Sequence, residues 1–359
     1  MDMITEQELL DSPAWLPLQA VGNGELHLIC LEEVAYRAAS FLDQRLLRRG
    51  LTELRCGTEV AQGAAAQLTP RSHYVFHTGH VGSTLVSRLL GEHESLFCLR
   101  EPAILRALAQ EGSLPGPPLP AAPGLDLTAM LSLLSRTWRP QQRAVIKLSS
   151  FLSEHATRIL SVGDQPAALL MFTDPQSYLR GILAGPNSRI ESRMLAPSRL
   201  HRLQKRLGER AGSLRPGSEG EQVAMSWLCE MAALHEAAQQ HRSRVLWVNF
   251  DAFLLEPHSG LEVMLRALGA TASRRELEEV LAGPLMRQYS KAPEYAYDAE
   301  LRRQVLESAD SEHPLEIRRG MEWLGRLAQH HPLVEEVLAS AAREGRQGAQ
   351  CGSGAAPEQ

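Results

Sequence analysis

Cysteine is sparse in this chain and carries no pattern. The five that occur, Cys30, Cys56, Cys98, Cys229 and Cys351, are scattered, odd in number and never spaced CxxC. That speaks against a disulfide framework and against a thiolate zinc site. Histidines are more numerous, but no HExxH or HxH occurs, so no metal is expected. No apolar run approaches the roughly 18 residues of a membrane span. The opening residues, MDMITEQELLDSPAW, lack the basic start and apolar core of a signal peptide. These absences lead us to expect a cytoplasmic protein with no membrane partner. Positive charge is not in excess either. A net charge of −5 argues against general nucleic-acid binding, though a local basic cluster can still hold a small polyanion.

What the chain does have is alternation. Strand-like segments stand at 73–78 (HYVFHT), 94–101 (ESLFCLRE), 143–150 (RAVIKLSS), 167–175 (AALLMFTDP) and 243–251 (SRVLWVNFD). Helical patterns such as LVSRLLGEH, LTAMLSLLSRTW and FLSEHATRIL fall between them. That order predicts an α/β fold, a three-layer parallel sheet with helices on both faces. AALLMFT is almost wholly apolar, as a strand covered on both sides must be. SLPGPPLPAAPGL reads as a surface loop. Beyond 251 the patterns are mostly helical. Residues 1–70 read as an extension packed on the main domain. It holds LHLICL, a helical run EEVAYRAASFLDQRLLRRG stopped at Gly50, and a small-residue linker, AQGAAAQLTPRS. The main domain is expected over 71–340 and a disordered tail over 341–359.

The chemistry is expected where HYVFHT meets LVSRLL, across GHVGST. A buried strand turning straight into a helix leaves free N–H groups and a positive dipole end at the turn. Gly79 and Gly82 allow close backbone approach to an anion. The N–H groups of residues 80–84 and the hydroxyls of Ser83 and Thr84 are donors. The ATPase pattern GxxxxGK[ST] is absent, because the glycines are too close and no lysine precedes the hydroxyls. Taken bare, GxxGST is equally compatible with a simple turn and a Ser/Thr helix cap.

HVGSTLVSRLL resembles the phosphate loop of sulfotransferases, a branch of the P-loop nucleotide fold. LREP (99–102), VIKLSSF (145–151), MFTDPQSYLRGIL (171–183) and YSKAPEYAYD (289–298) follow in the order seen in bacterial sulfotransferase-like proteins of unassigned acceptor. The resemblance runs over roughly residues 73–325. It implies a P-loop-type fold and transfer of a sulfuryl group from 3′-phosphoadenosine 5′-phosphosulfate to a hydroxyl or amine. Gly79, His80, Val81, Gly82, Ser83 and Thr84 would hold the 5′-phosphosulfate, with His80 where the family has Lys or Arg. Lys147 matches the family's strand-end lysine. The histidine that cytosolic members carry two residues later is Ser149 here. Glu101 matches the glutamate that other branches use as base. The family's Arg and Ser for the 3′-phosphate are Thr173 and Gly181 here, which leaves Arg180, Arg189 and Lys291 as the nearby cations.

Each of these residues has a plainer reading. Lys147 is either turned to the ligand cleft or a solvated strand-end lysine. Glu101 is either a base or the ion-pair partner of Arg100 or Arg106. Asp174 and Asp251 end apolar strands. They would serve magnesium in an NTP-dependent phosphotransferase, or cap the next helix. Tyr289, Tyr295 and Tyr297 line a pocket or pack a loop. The basic run 192–210 is a lid or a solvated helix face. A third reading is a degenerate loop that binds a nucleotide or a protein partner without chemistry. The acceptor and the oligomeric state cannot be read from the residues.

Overall fold

A computed structural model describes residues 4–21, 24–112, 125–208 and 214–350. Among the described residues, eight strands form two sheets. β1 (Trp15–Val21), β2 (Glu25–Cys30) and β3 (Glu53–Gly57) make an antiparallel sheet in that order. β4 (His73–His77), β5 (Leu96–Arg100), β6 (Arg143–Lys147), β7 (Ala168–Phe172) and β8 (Val245–Asn249) make a parallel sheet in the order β5-β6-β4-β7-β8. All five expected strands are present.

Every residue of β4, β5 and β7 is buried. Period-2 geometry sends their side chains to opposite faces. Tyr74, Phe76, Ile146 and Leu170 join one core, with the first sheet and the helices Thr58–Ala66 and Leu127–Leu134. Val75, Val145, Leu169 and Met171 join the other, with the helices Ser83–Leu90, Pro175–Ala184, Glu219–Gln240 and those that follow β8. The result is the expected three-layer α/β fold. β4 lies at the centre, with the next two strands on one side and the last two on the other. Sheets of this topology bind ligands above the carboxyl ends at that reversal.

The first seventy residues differ from expectation. WLPLQAV and ELRCG flank LHLICL as β1 and β3, and His27 meets Glu53 across the ladder at 2.7 Å. The supposed linker AQGAAAQLT belongs largely to the helix Thr58–Ala66, with Ala61, Ala64 and Ala65 buried. Alanine is the strongest helix former, and its small side chain lets helices approach closely. The run after residue 32 splits into a helix, Glu33–Ala38, and a 3₁₀ segment, Gln44–Arg49, which ends at Gly50 with φ 63°. Two buried arginines, one ending β5 and one just past the helix Leu127–Leu134, tie this region to the main domain. Arg100 donates to the carbonyls of Tyr36, Arg37 and Ala39, and Arg136 to those of Leu9, Ser12 and Trp15.

At the other end, the helix Pro332–Gln350 runs through the first ten residues of the expected tail. Residues 351–359, and 113–124 of the proline-rich loop, lie outside the described residues. No helix among the described residues is long and apolar enough to cross a membrane.

Candidate active site

The chain leaves β4 at His77 and enters the helix at Ser83. Gly79, His80 and Gly82 adopt φ of 93°, 54° and 66°. Left-handed residues in close succession gather backbone N–H groups into an anion-binding concavity. No described residue accepts from the N–H groups of His80, Val81, Gly82, Ser83 or Thr84. The Thr84 hydroxyl is buried without a partner. The helix is capped by Gly82, and no side chain caps it. The simple Ser/Thr cap is therefore not what these residues form.

Gly82 is required for a second reason. A Cβ there would fall 2.0 Å from the ring of Phe250. Phe250 floors a cavity of about 350 Å³ that opens on the loop. The loop forms one wall, the helix end around Gly181 and Ser188 another, and the segment from Gln288 to Asp298 a third.

His77 is a neutral member of the site. Its Nδ1 accepts from the Gly79 N–H at 3.0 Å, so its Nε2–H donates to the Leu148 carbonyl at 2.8 Å. Burial, and then Lys147, hold its pKa well below the usual range. His80, where the resemblance implies a cation, has two local partners. Its Nε2–H donates to Glu191 at 3.1 Å and its Nδ1 accepts from the Ser188 hydroxyl at 3.1 Å. Burial lowers its pKa against the pull of Glu191. The loop thus carries an uncharged donor at neutral pH, not a permanent cation.

Lys147 and Glu101 meet because β5 and β6 pair in register, Arg100 opposite Lys147. The chain turns at Glu101 with φ 51°, and its N–H donates to the Lys147 carbonyl at 2.7 Å. Lys147 Nζ donates to one carboxylate oxygen, and the Ser149 hydroxyl to the other at 2.8 Å. Burial opposes the Glu101 charge, but Lys147, with the hydrogen bond from Ser149, outweighs it and holds the carboxyl at about 2. Burial also lowers Lys147, which is 1% exposed. Lys147 is therefore not a solvated strand end. Glu101 pairs with neither expected arginine. Arg100 is spent on carbonyls of the N-terminal region, and Arg106 pairs with Asp43 at 3.1 Å.

The structure separates the three cations near the lost 3′-phosphate ligands. Arg180 donates to Asp310 at 2.7 Å, and Arg189 forks onto Glu219. Neither lines the cavity. Lys291 does, and it makes no salt bridge or side-chain hydrogen bond among the described residues, although its charge lowers the Glu191 carboxyl. Gly181 is on the cavity wall, whereas Thr173 is buried with its hydroxyl unpartnered. Tyr289 and Tyr297 also line the cavity, edge to face at 5.6 Å, while Tyr295 is exposed. Asp174 caps the helix Pro175–Ala184 through the N–H groups of Gln176 and Ser177. Asp251 takes both bonds of Arg302, at 2.7 and 3.0 Å. Both carboxylates are engaged by protein groups, although Oδ2 of Asp251 is buried without a partner.

The basic run 192–210 is neither lid nor solvated face along its inner side. Arg199 and Arg202 are buried on Glu230 at 2.8 Å each, and Arg206 reaches Glu154 at 3.0 Å.

No family model matches the chain, and no curated protein matches it. Solved structures do. One is the sulfotransferase domain from the curacin biosynthetic pathway, at 16% identity and TM-score 0.40, covering 71% of this chain and 98% of that one. Another is a sulfotransferase from Alicyclobacillus acidocaldarius, at 15% and 0.36, covering 59% and 90%. A third is the sulfotransferase STF9 from Mycobacterium avium, at 13% and 0.34, covering 67% and 76%. All three are sulfotransferases.

Sequence reasoning missed His77, Ser188, Glu191, Phe250 and Arg302. His77 could have been suspected, because it ends the strand that feeds the loop. The others lie about 100 to 220 residues away from the loop, and no local pattern marks them.

Proposed function

We propose that this chain is a sulfotransferase-like transferase. It uses 3′-phosphoadenosine 5′-phosphosulfate as donor and a hydroxyl or amine as acceptor. The observation that carries the reading is the loop. Five backbone N–H groups without a described partner and an unpartnered, buried Thr84 hydroxyl meet at the mouth of one cavity. Such a constellation suits the phosphate that leaves when sulfur changes partners.

In the reaction, the acceptor oxygen or nitrogen bonds to sulfur while the bond from sulfur to the 5′-phosphate oxygen breaks. The loop residues 79–84 hold the phosphate side and take up the charge that grows there. Glu101, ionised, receives the acceptor's proton, and Lys147 with Ser149 fixes its orientation. Tyr289 and Tyr297 offer ring faces to the base. The fit is good at the phosphosulfate end. Lys291 and the Asp251-bound Arg302 are the lysine and arginine among the described residues on the cavity wall.

The test is calorimetric titration with adenosine 3′,5′-bisphosphate, and with ATP with and without magnesium. Tight binding of the bisphosphate alone is the expected result. Magnesium-dependent ATP binding would replace this reading with a phosphotransferase. Silence with both would leave a scaffold without chemistry.

A further inference from the structure

The loop holds no lysine or arginine, and its His80 is committed to Glu191 and Ser188. A group as charged as a phosphosulfate needs a cation. The described lining residues include one lysine and one arginine. Arg302 is neutralised by Asp251 and lies over the Phe250 ring, 5.1 Å from its centroid. Lys291 makes no salt bridge or side-chain hydrogen bond among the described residues; the acid whose carboxyl its charge lowers, Glu191, is already engaged by His80, and Lys291 lines the cavity with the loop. Holding an unpaired charge half-buried is unfavourable unless an anion joins it.

The position of Lys291 is built, not incidental. Its segment is closed by the bridge Gln288 to Ala296 and by the Tyr289 N–H on the Tyr295 carbonyl at 2.7 Å. The carbonyl just before it, on Ser290, accepts from Arg88 at 3.1 Å and from Ser40 at 3.3 Å. Arg88 lies on the loop's own helix and is itself buried. It also donates to Ser40 and to the Ala38 carbonyl. One side chain thus ties the segment bearing Lys291 to the helix that begins the anion site. The field of Lys291 also falls on His77, His80 and Lys147, at the transfer end of the loop.

We infer that Lys291 supplies, from two hundred residues downstream, the charge missing from the loop: it pairs with the 5′ anion rather than with a 3′-phosphate, and Arg88 positions it. The inference rests on the loop being an anion site, as in the reading above.

Titrations of wild type, Lys291→Met and Lys291→Arg with inorganic pyrophosphate, adenosine 5′-monophosphate and adenosine 3′,5′-bisphosphate decide it. The Met variant is expected to lose about tenfold or more in affinity for all three by a similar factor, and Arg to restore most of it. Loss for the bisphosphate alone would assign Lys291 to the 3′-phosphate and overturn the inference, as would no loss at all. Pyrophosphate binding that depends on Lys291, with no binding of either nucleotide, would refute the nucleotide donor and keep the inference. A wild type that binds none of the three would refute both. For Arg88, the readout is coupling. Arg88→Gln should weaken monophosphate binding in wild type and add nothing in the Lys291→Met background. Additive losses would reduce Arg88 to a structural role.

Discussion

Replacing Gly82 by alanine should damage the loop through two separable effects. The first is conformational: alanine at φ 66° costs about 1 to 2 kcal/mol relative to glycine. The second is steric. The new Cβ would sit 2.0, 2.1 and 2.5 Å from three carbons of the Phe250 ring. That ring is 4% exposed, stacked on Phe253 at 6.2 Å and covered by Arg302, so it has little room to withdraw. Overpacking of this kind costs about 1 to 3 kcal/mol. The expected total is about 2 to 5 kcal/mol. Gly50 provides the control. Its φ is 63°, yet no described atom lies within 4 Å of a Cβ there. Gly50→Ala should therefore show the conformational cost alone. Urea unfolding of both variants measures the difference, and bisphosphate titration of Gly82→Ala measures the displaced cavity floor. If Gly82→Ala matches Gly50→Ala within about 0.5 kcal/mol and binds normally, the close approach of Phe250 is not what demands a glycine.

Other consequences are equally direct. Glu230→Ala strands Arg199 and Arg202 in the interior and should cost about 3 to 5 kcal/mol in urea unfolding. Glu101 has a carboxyl pKa depressed to about 2, so its contribution to stability is complete above the unfolded value of about 4.3 and fades as pH falls toward 2. Glu101→Gln should lower stability at pH 7 and flatten that acid limb in urea unfolding followed against pH. Asp174→Ala removes a helix cap and should cost about 1 kcal/mol, with bisphosphate affinity and any magnesium response unchanged. A large change in nucleotide affinity there would reinstate a metal-holding role for Asp174.

The parallel sheet was legible because its strands are short apolar runs bounded by turn residues, as RAVIK and ALLMF show. The loop was legible because strand, glycines and hydroxyls are contiguous. Contacts set by strand order were not. Lys147 and Glu101 could each be singled out, but their pairing follows from β5 lying beside β6, and 46 residues separate them. The same limit hid Glu191, which lies 111 residues from His80. β1 was hidden by Pro17 and by the lack of strict alternation in WLPLQAV. β3 was hidden because its residues are half polar and mostly not buried. The helix Thr58–Ala66 was mistaken for a linker because alanine and glycine signal small size before they signal helix. Arg180 and Arg189 illustrate the converse error. Proximity in sequence to a lost ligand gave no information about the acids, Asp310 and Glu219, that already hold them.

The buried charges on the helix Pro186–Leu207 also act as a ruler. Arg199, Arg202 and Arg206 recur at helical spacing and engage Glu230, Glu154 and Glu236 at fixed places. An apolar seam would tolerate sliding along the helix Glu219–Gln240 far better than these pairs do. Sliding by one turn, about 5.4 Å, would misplace the pairs together. Glu191 rides on the same helix eleven residues before Arg202, about 16 Å along the axis and across Pro197, with Ser188 three residues earlier still. The partners of the His80 ring are therefore carried by a helix whose register these ion pairs hold, and the shape of the candidate site depends on how two helices are aligned along their axes.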